Sequence, residues 1–68
     1  MKTVTIENEK CILHGRNIIV KRGTCYFEYN TYEEVKEDDY NKGNNRIMNG
    51  HWIYYSHSLS VLLGNEEQ

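Results

Sequence analysis

The sequence predicts a mainly β domain: a small antiparallel sheet or partly open barrel of about five or six short strands, with at most one short helix near residues 32–40. Three observations lead there. Short runs of β-branched and aromatic residues recur through the first 29 positions. Polar or glycine-containing breaks separate them every few residues. Finally, Asn49-Gly50, a strong hairpin signal, stands immediately before the longest apolar alternation, His51 to Leu63.

Each element has its own warrant. Thr3-Val4-Thr5-Ile6-Glu7 alternates with period two, placing Val4 and Ile6 on one side of a half-buried strand. Asn8-Glu9-Lys10 is a polar break, and Cys11-Ile12-Leu13-His14 reads as the returning arm of a hairpin. After Gly15-Arg16-Asn17, the run Ile18-Ile19-Val20-Lys21-Arg22 is too β-branched to favour a helix. Gly23-Thr24 then turns the chain into Cys25-Tyr26-Phe27-Glu28-Tyr29. An antiparallel meander is expected to this point.

The pattern changes at Thr31-Tyr32-Glu33-Glu34, which fits a capping box. A short helix over residues 32–40 competes with an acidic loop, because Glu37, Asp38 and Asp39 oppose the dipole at the helix C-terminus. Asn41 to Asn45 reads as a loop. Arg46-Ile47-Met48 and His51 to Tyr55 are the expected arms of the Asn49-Gly50 hairpin. Beyond them, Ile53, Tyr55, Leu59, Val61 and Leu63 share the candidate core face of a continuing strand. Leu59, Leu62 and Leu63 also fit helical spacing, which leaves a final helical turn as the alternative.

Composition narrows the function classes. Residues 1–68 have room for one small globular domain. A chain of this length buries only about 60% of its unfolded surface, so a homo-oligomer sharing a core is one expected remedy. The formal charge of −2 lacks the basic excess of a general nucleic-acid binder. No apolar run is long enough to span a membrane. The first residues reach Glu7 before any apolar stretch, unlike a signal peptide. Two cysteines are too few for a secreted disulfide scaffold. Together these features point to a cytoplasmic protein with reduced thiols. The chain has no Ala and no Pro but many Asn, Ile, Lys and Tyr. That codon bias indicates a low-GC genome, such as that of a Gram-positive bacterium or its phage.

No catalytic motif is found: G-x-S-x-G, the P-loop and G-x-G-x-x-G are all missing from the sequence. No enzymatic role, metal or cofactor is expected. His51 and His57 lie about 20 Å apart on a straight strand, too far to share an ion. The run from Asp39 to Asn44 resembles the start of a calcium loop, but Gly43 and Asn44 occupy positions that require a ligand and a glycine.

Two surface features remain. Alternation places Tyr26, Trp52 and Tyr54 on a common outer face, a candidate binding surface with Arg16, Arg22 and Arg46 as its cationic partners. The run Glu33, Glu34, Glu37, Asp38 and Asp39 is a candidate contact patch for a basic protein surface. The expected function is therefore a non-enzymatic binding protein, encoded by a phage or other mobile element, that inhibits or modulates a host protein. The alternatives are capture of a nucleotide or short single strand by Trp and Tyr stacking, and a small structural homo-oligomer.

Overall fold

The computed structural model describes residues 2–40 and 50–64, with the side chains of Asp39 and Tyr40 outside that description. Among the described residues, five strands form one open antiparallel sheet in the order β1-β2-β3-β4-β5. They are β1 (Lys2–Ile6), β2 (Glu9–His14), β3 (Asn17–Arg22), β4 (Cys25–Tyr29) and β5 (Tyr54–Ser56). Helix α1 (Tyr32–Tyr40) separates β4 from β5, and α2 (Leu59–Leu63) follows β5. The fold is mainly β.

Three tight turns set the register of the meander. Ile6 pairs with Glu9 across Glu7 and Asn8, which both have positive φ (50° and 68°), as a type I′ turn requires. The polar break thus begins at Glu7, and Glu9 and Lys10 belong to β2. His14 pairs with Asn17 across Gly15-Arg16, and Arg22 pairs with Cys25 across Gly23-Thr24. Gly15 and Gly23 each have φ +63°, a conformation that most other residues adopt only with strain. Each is followed by a residue of negative φ, the pattern of a type II′ turn.

Period-two alternation divides the sheet into two faces. The core face carries Cys11, Val20, Cys25, Phe27 and Tyr29, all buried, and Val35 of α1 packs onto them. Ile6, Ile18, Tyr32 and Trp52 close the margins of this cluster. The second face carries Ile12, Ile19 and Glu28 in one row, with Lys21 and Tyr26 in the next. Ile19 is fully buried on that face, where Leu59 of α2 approaches Ile12 and Tyr26.

The acidic segment resolves as helix. The Glu34 amide donates to Thr31 Oγ1 at 3.4 Å, one half of the capping box. Glu34 Oε1 is buried with no partner among the described residues. The anions near the C-terminal end find tertiary donors instead. Tyr29 donates its hydroxyl to Asp38 Oδ2 at 2.6 Å, and the His51 amide donates to both Asp38 oxygens at 2.9 and 3.1 Å. His51 Nε2 lies 3.1 Å from Glu37. These contacts offset the unfavourable dipole and join α1 to the segment that leads into β5.

The expected long strand from His51 to Leu63 is not formed. Residues 50–53 lie outside any regular element, although the Ile53 amide donates to the Glu28 carbonyl at 2.7 Å. The strand itself spans only Tyr54–Ser56. At Ser58 the chain turns into α2: the Ser58 amide donates to Ser56 Oγ at 3.0 Å, and the Val61 amide to the Ser58 carbonyl at 3.2 Å. A Ser-rich stretch offers such local bonds readily, and they compete with a ladder. The helical spacing of Leu59, Leu62 and Leu63 prevails, and Leu63 is buried. The Asn49 side of the expected turn, and the Arg46-Ile47-Met48 arm, lie outside the described residues.

Candidate binding surfaces

The aromatic residues divide between the two faces. Trp52 precedes β5, so strand alternation does not govern it. Its ring meets Tyr55 edge-on at 5.0 Å and Phe27 at 6.2 Å, half-buried against the core face. Tyr55 stacks on Phe27 at 5.9 Å. Tyr26 and Tyr54 lie on the second face, opposite Ser56 and Glu28 respectively. The common outer face of Tyr26, Trp52 and Tyr54 is therefore corrected: Tyr26 and Tyr54 share a face, while Trp52 completes an aromatic trio with Phe27 and Tyr55.

The arginines have separate surroundings. Arg22 forms a two-pronged pair with Glu9, its Nη1 meeting Oε2 and its Nη2 meeting Oε1. Tyr32 also donates to Glu9, at 3.2 Å, which ties α1 to β2 and β3. Arg16 is exposed in the β2–β3 turn. Arg46 lies outside the described residues. Arg22 thus serves a structural cluster on the core side, away from Tyr26 and Tyr54.

The acidic run does not act as one patch. Glu33 and Glu37 are exposed, Glu34 is half-buried, and Asp38 is buried as an internal acceptor. Asp39 belongs to α1, and its side chain is outside the described set. Glu33 and Glu37 are the exposed carboxylates of the described part of the helix.

Two polar constellations were not legible in the sequence. On the second face, Glu28 is 2% exposed, and its Oε2 lies 2.9 Å from both His14 Nδ1 and Asn17 Nδ2. With its proton on Nδ1, His14 donates to the carboxylate, as Asn17 does. His14 Nε2 is then a buried nitrogen with no partner among the described residues. Alternation and the tight Gly15-Arg16 turn bring these groups together: His14 pairs with Asn17, and Glu28 occupies the same face on the next strand. Reading the three strands as one face would have found this cluster.

The second constellation joins Cys25, at the start of β4, to His57, just beyond β5. The thiol lies 3.5 Å from Nδ1 and 3.7 Å from Nε2, while Nδ1 is 3.3 Å from the Thr24 carbonyl. With Nδ1–H donating to that carbonyl, Nε2 is left as the nitrogen that can accept a proton from sulfur. The two residues are 32 positions apart, and only the register of β4 with β5 makes them neighbours. Cys11, on the core face, is fully buried, and burial raises its thiol above the usual range, with Glu9 adding to the effect.

Among the described residues, no group of three or more His, Cys, Asp or Glu converges as a metal site. His51 contacts the end of α1 and His57 contacts Cys25, so they belong to different parts of the molecule. No helix among the described residues is long and apolar enough to cross a membrane. Comparison with protein-family models, with curated proteins and with solved structures gives no match.

Proposed function

We propose that this chain is a non-catalytic protein-binding module that docks its partner along β5 and the start of α2. One observation carries this reading. Among the described residues, Tyr54, Tyr55 and Val61 are 60%, 42% and 68% exposed, and they fall within eight consecutive positions. Tyr54 and Tyr55 belong to β5, the last strand in the sheet order, and among the described residues no strand pairs with its outer side. Tyrosines supply large contact area at small entropic cost and are frequent interface anchors. Glu37, held near His51 at the entry to this segment, supplies negative charge for a partner with a basic rim. The amino-acid composition, without Ala or Pro and rich in residues with AT-rich codons, supports a low-GC source such as a phage, and with it a host protein as the partner that the module inhibits or modulates.

The test is affinity capture from the lysate of a low-GC bacterium, using the wild-type chain and a Tyr54→Ser/Tyr55→Ser/Val61→Ser variant. The expected result is a protein retained by the wild type and lost with the variant. Equal retention by both, or no stable capture, would overturn the proposal. Sedimentation of the purified chain separates this reading from a self-assembly, which would show a concentration-dependent mass.

A further inference from the structure

The second face of the sheet holds a cavity of about 410 Å³ that meets the proposed docking surface at Leu59 but is not lined by Tyr54, Tyr55 or Val61. Its lining is Thr3, Lys10, Ile12, Ile19, Lys21, Tyr26 and Leu59. The chemistry of this lining is sorted by depth. Ile19 is fully buried at its base, and Ile12, Tyr26 and Leu59 are half-buried walls. Thr3, Lys10 and Lys21 are exposed at the rim. Lys21 Nζ stands 5.7 Å from the centroid of the Tyr26 ring, which directs one ammonium over the wall of the cavity. Neither Lys10 nor Lys21 has an ion-pair partner among the described residues, and no carboxylate belongs to the lining.

We propose that this cavity binds a single-chain amphiphile with one anionic head, of the medium-chain carboxylate class. The apolar base takes the alkyl chain, and the two ammonium groups flank the carboxylate at the rim. Size agrees with this ligand. A half-open groove of this volume falls within the roughly 300–1,000 Å³ of ordinary small-molecule sites, which admits an alkyl chain of medium length. Polarity agrees as well. Among the described residues, the lining offers, besides the two ammonium groups, the Thr3 and Tyr26 hydroxyls as side-chain hydrogen-bonding groups, too few to read the edge of a nucleotide base. The register explains how the site arises. Thr3 faces Ile12 and Ile12 faces Ile19, while Lys21 faces Tyr26 one row along, so the Ile12–Ile19 pair lies beside the row that carries Lys21.

The experiment is a two-dimensional amide NMR titration of the full chain with decanoate, decanol, adenosine monophosphate and phosphatidylglycerol vesicles. Decanoate is expected to give saturable shifts centred on Ile12, Ile19, Tyr26 and Leu59, with decanol at least ten-fold weaker. Lys10→Gln/Lys21→Gln should weaken decanoate at least ten-fold without lowering the melting temperature. Lys2→Gln/Lys36→Gln, which removes the same charge elsewhere, should leave the affinity unchanged. Equal binding of decanol, equal loss in both lysine pairs, tighter binding of the nucleotide or the vesicles, or no saturation would each overturn the proposal. Because Tyr54, Tyr55 and Val61 do not line the cavity, the Ser variant used in the capture test should still bind decanoate, which keeps the two proposals separable.

Discussion

Glu28 illustrates how much a single residue decides in a sheet this small. Its carboxylate is 2% exposed and accepts from Asn17 and from His14, both at 2.9 Å. Buried carboxylates persist only where donors compensate for lost water. Glu28→Ala leaves His14 and Asn17 without their acceptor, and a cost of about 1–3 kcal/mol is expected. Chemical denaturation of the two proteins measures it. Tyr32 gives a second test at this scale. Burial, then its bond to Glu9 and the charges of Glu9 and Glu7, push its phenol up to about 12 from an ordinary 10. The folded state therefore holds this proton more tightly than the unfolded chain does. Its contribution is present in full below pH 10 and is lost as the pH rises through about 12. Between those values the denaturation midpoint of Tyr32→Phe should fall less steeply with pH than that of the wild type. The Tyr32 and Glu28 partners escaped the sequence reading because each lies on another strand, and alternation gives a face without naming what stands across it.

At the scale of elements, the first four strands were legible because each is half-buried and each turn carries its own chemistry. The capping box likewise marked α1, and the structure explains why three acidic residues near its end do not dissolve it: Asp38 and Glu37 have donors from outside the helix. The final segment was harder. His51 to Leu63 has a strand period and a helical one superposed, and local bonds around Ser56 and Ser58 settle the competition in favour of a short β5 followed by α2. Asp38 holds this arrangement through the His51 amide and the Tyr29 hydroxyl. Asp38→Ala removes both links, and a loss of about 2–6 kcal/mol is expected if each orphaned donor costs the roughly 1–3 kcal/mol of a buried one. Hydrogen exchange should locate the damage: amides of Tyr54, Tyr55 and Ser56 lose protection more than those of Ile12 or Ile19. Candidate site residues were less legible than strands. Tyr26 and Tyr54 do share a face, but Trp52 departs from it because the strand begins two residues too late to orient the indole.

For the whole molecule, the sheet is a meander joined to one distant strand. β1 through β4 pair in succession across two-residue turns. β5 instead pairs with β4 at a separation of 28 residues, from Phe27 to Tyr55. The two faces have different fillings: α1 covers the core face, while the second face is divided between the Glu28 cluster, the cavity and α2. An arrangement with aromatics on one shared outer layer would have given a single binding surface. The observed one places Tyr54 and Tyr55 on β5 and the lysine-rimmed cavity on the second face of the sheet, with different side chains at each.

The separation between Phe27 and Tyr55 has a consequence for the order in which the molecule assembles. Contacts within the hairpins close loops of a few residues and form early, whereas joining β5 to β4 requires a much longer loop to close. The transition state is therefore expected to contain the β2–β3–β4 meander and to lack the β5–α2 segment. Ile19→Val should slow refolding, and Leu63→Ala should mainly accelerate unfolding, with stopped-flow chevrons in urea separating the two limbs. A ribosome releasing this chain would thus deliver a pre-arranged four-strand template first, onto which β5 and α2 are fitted later.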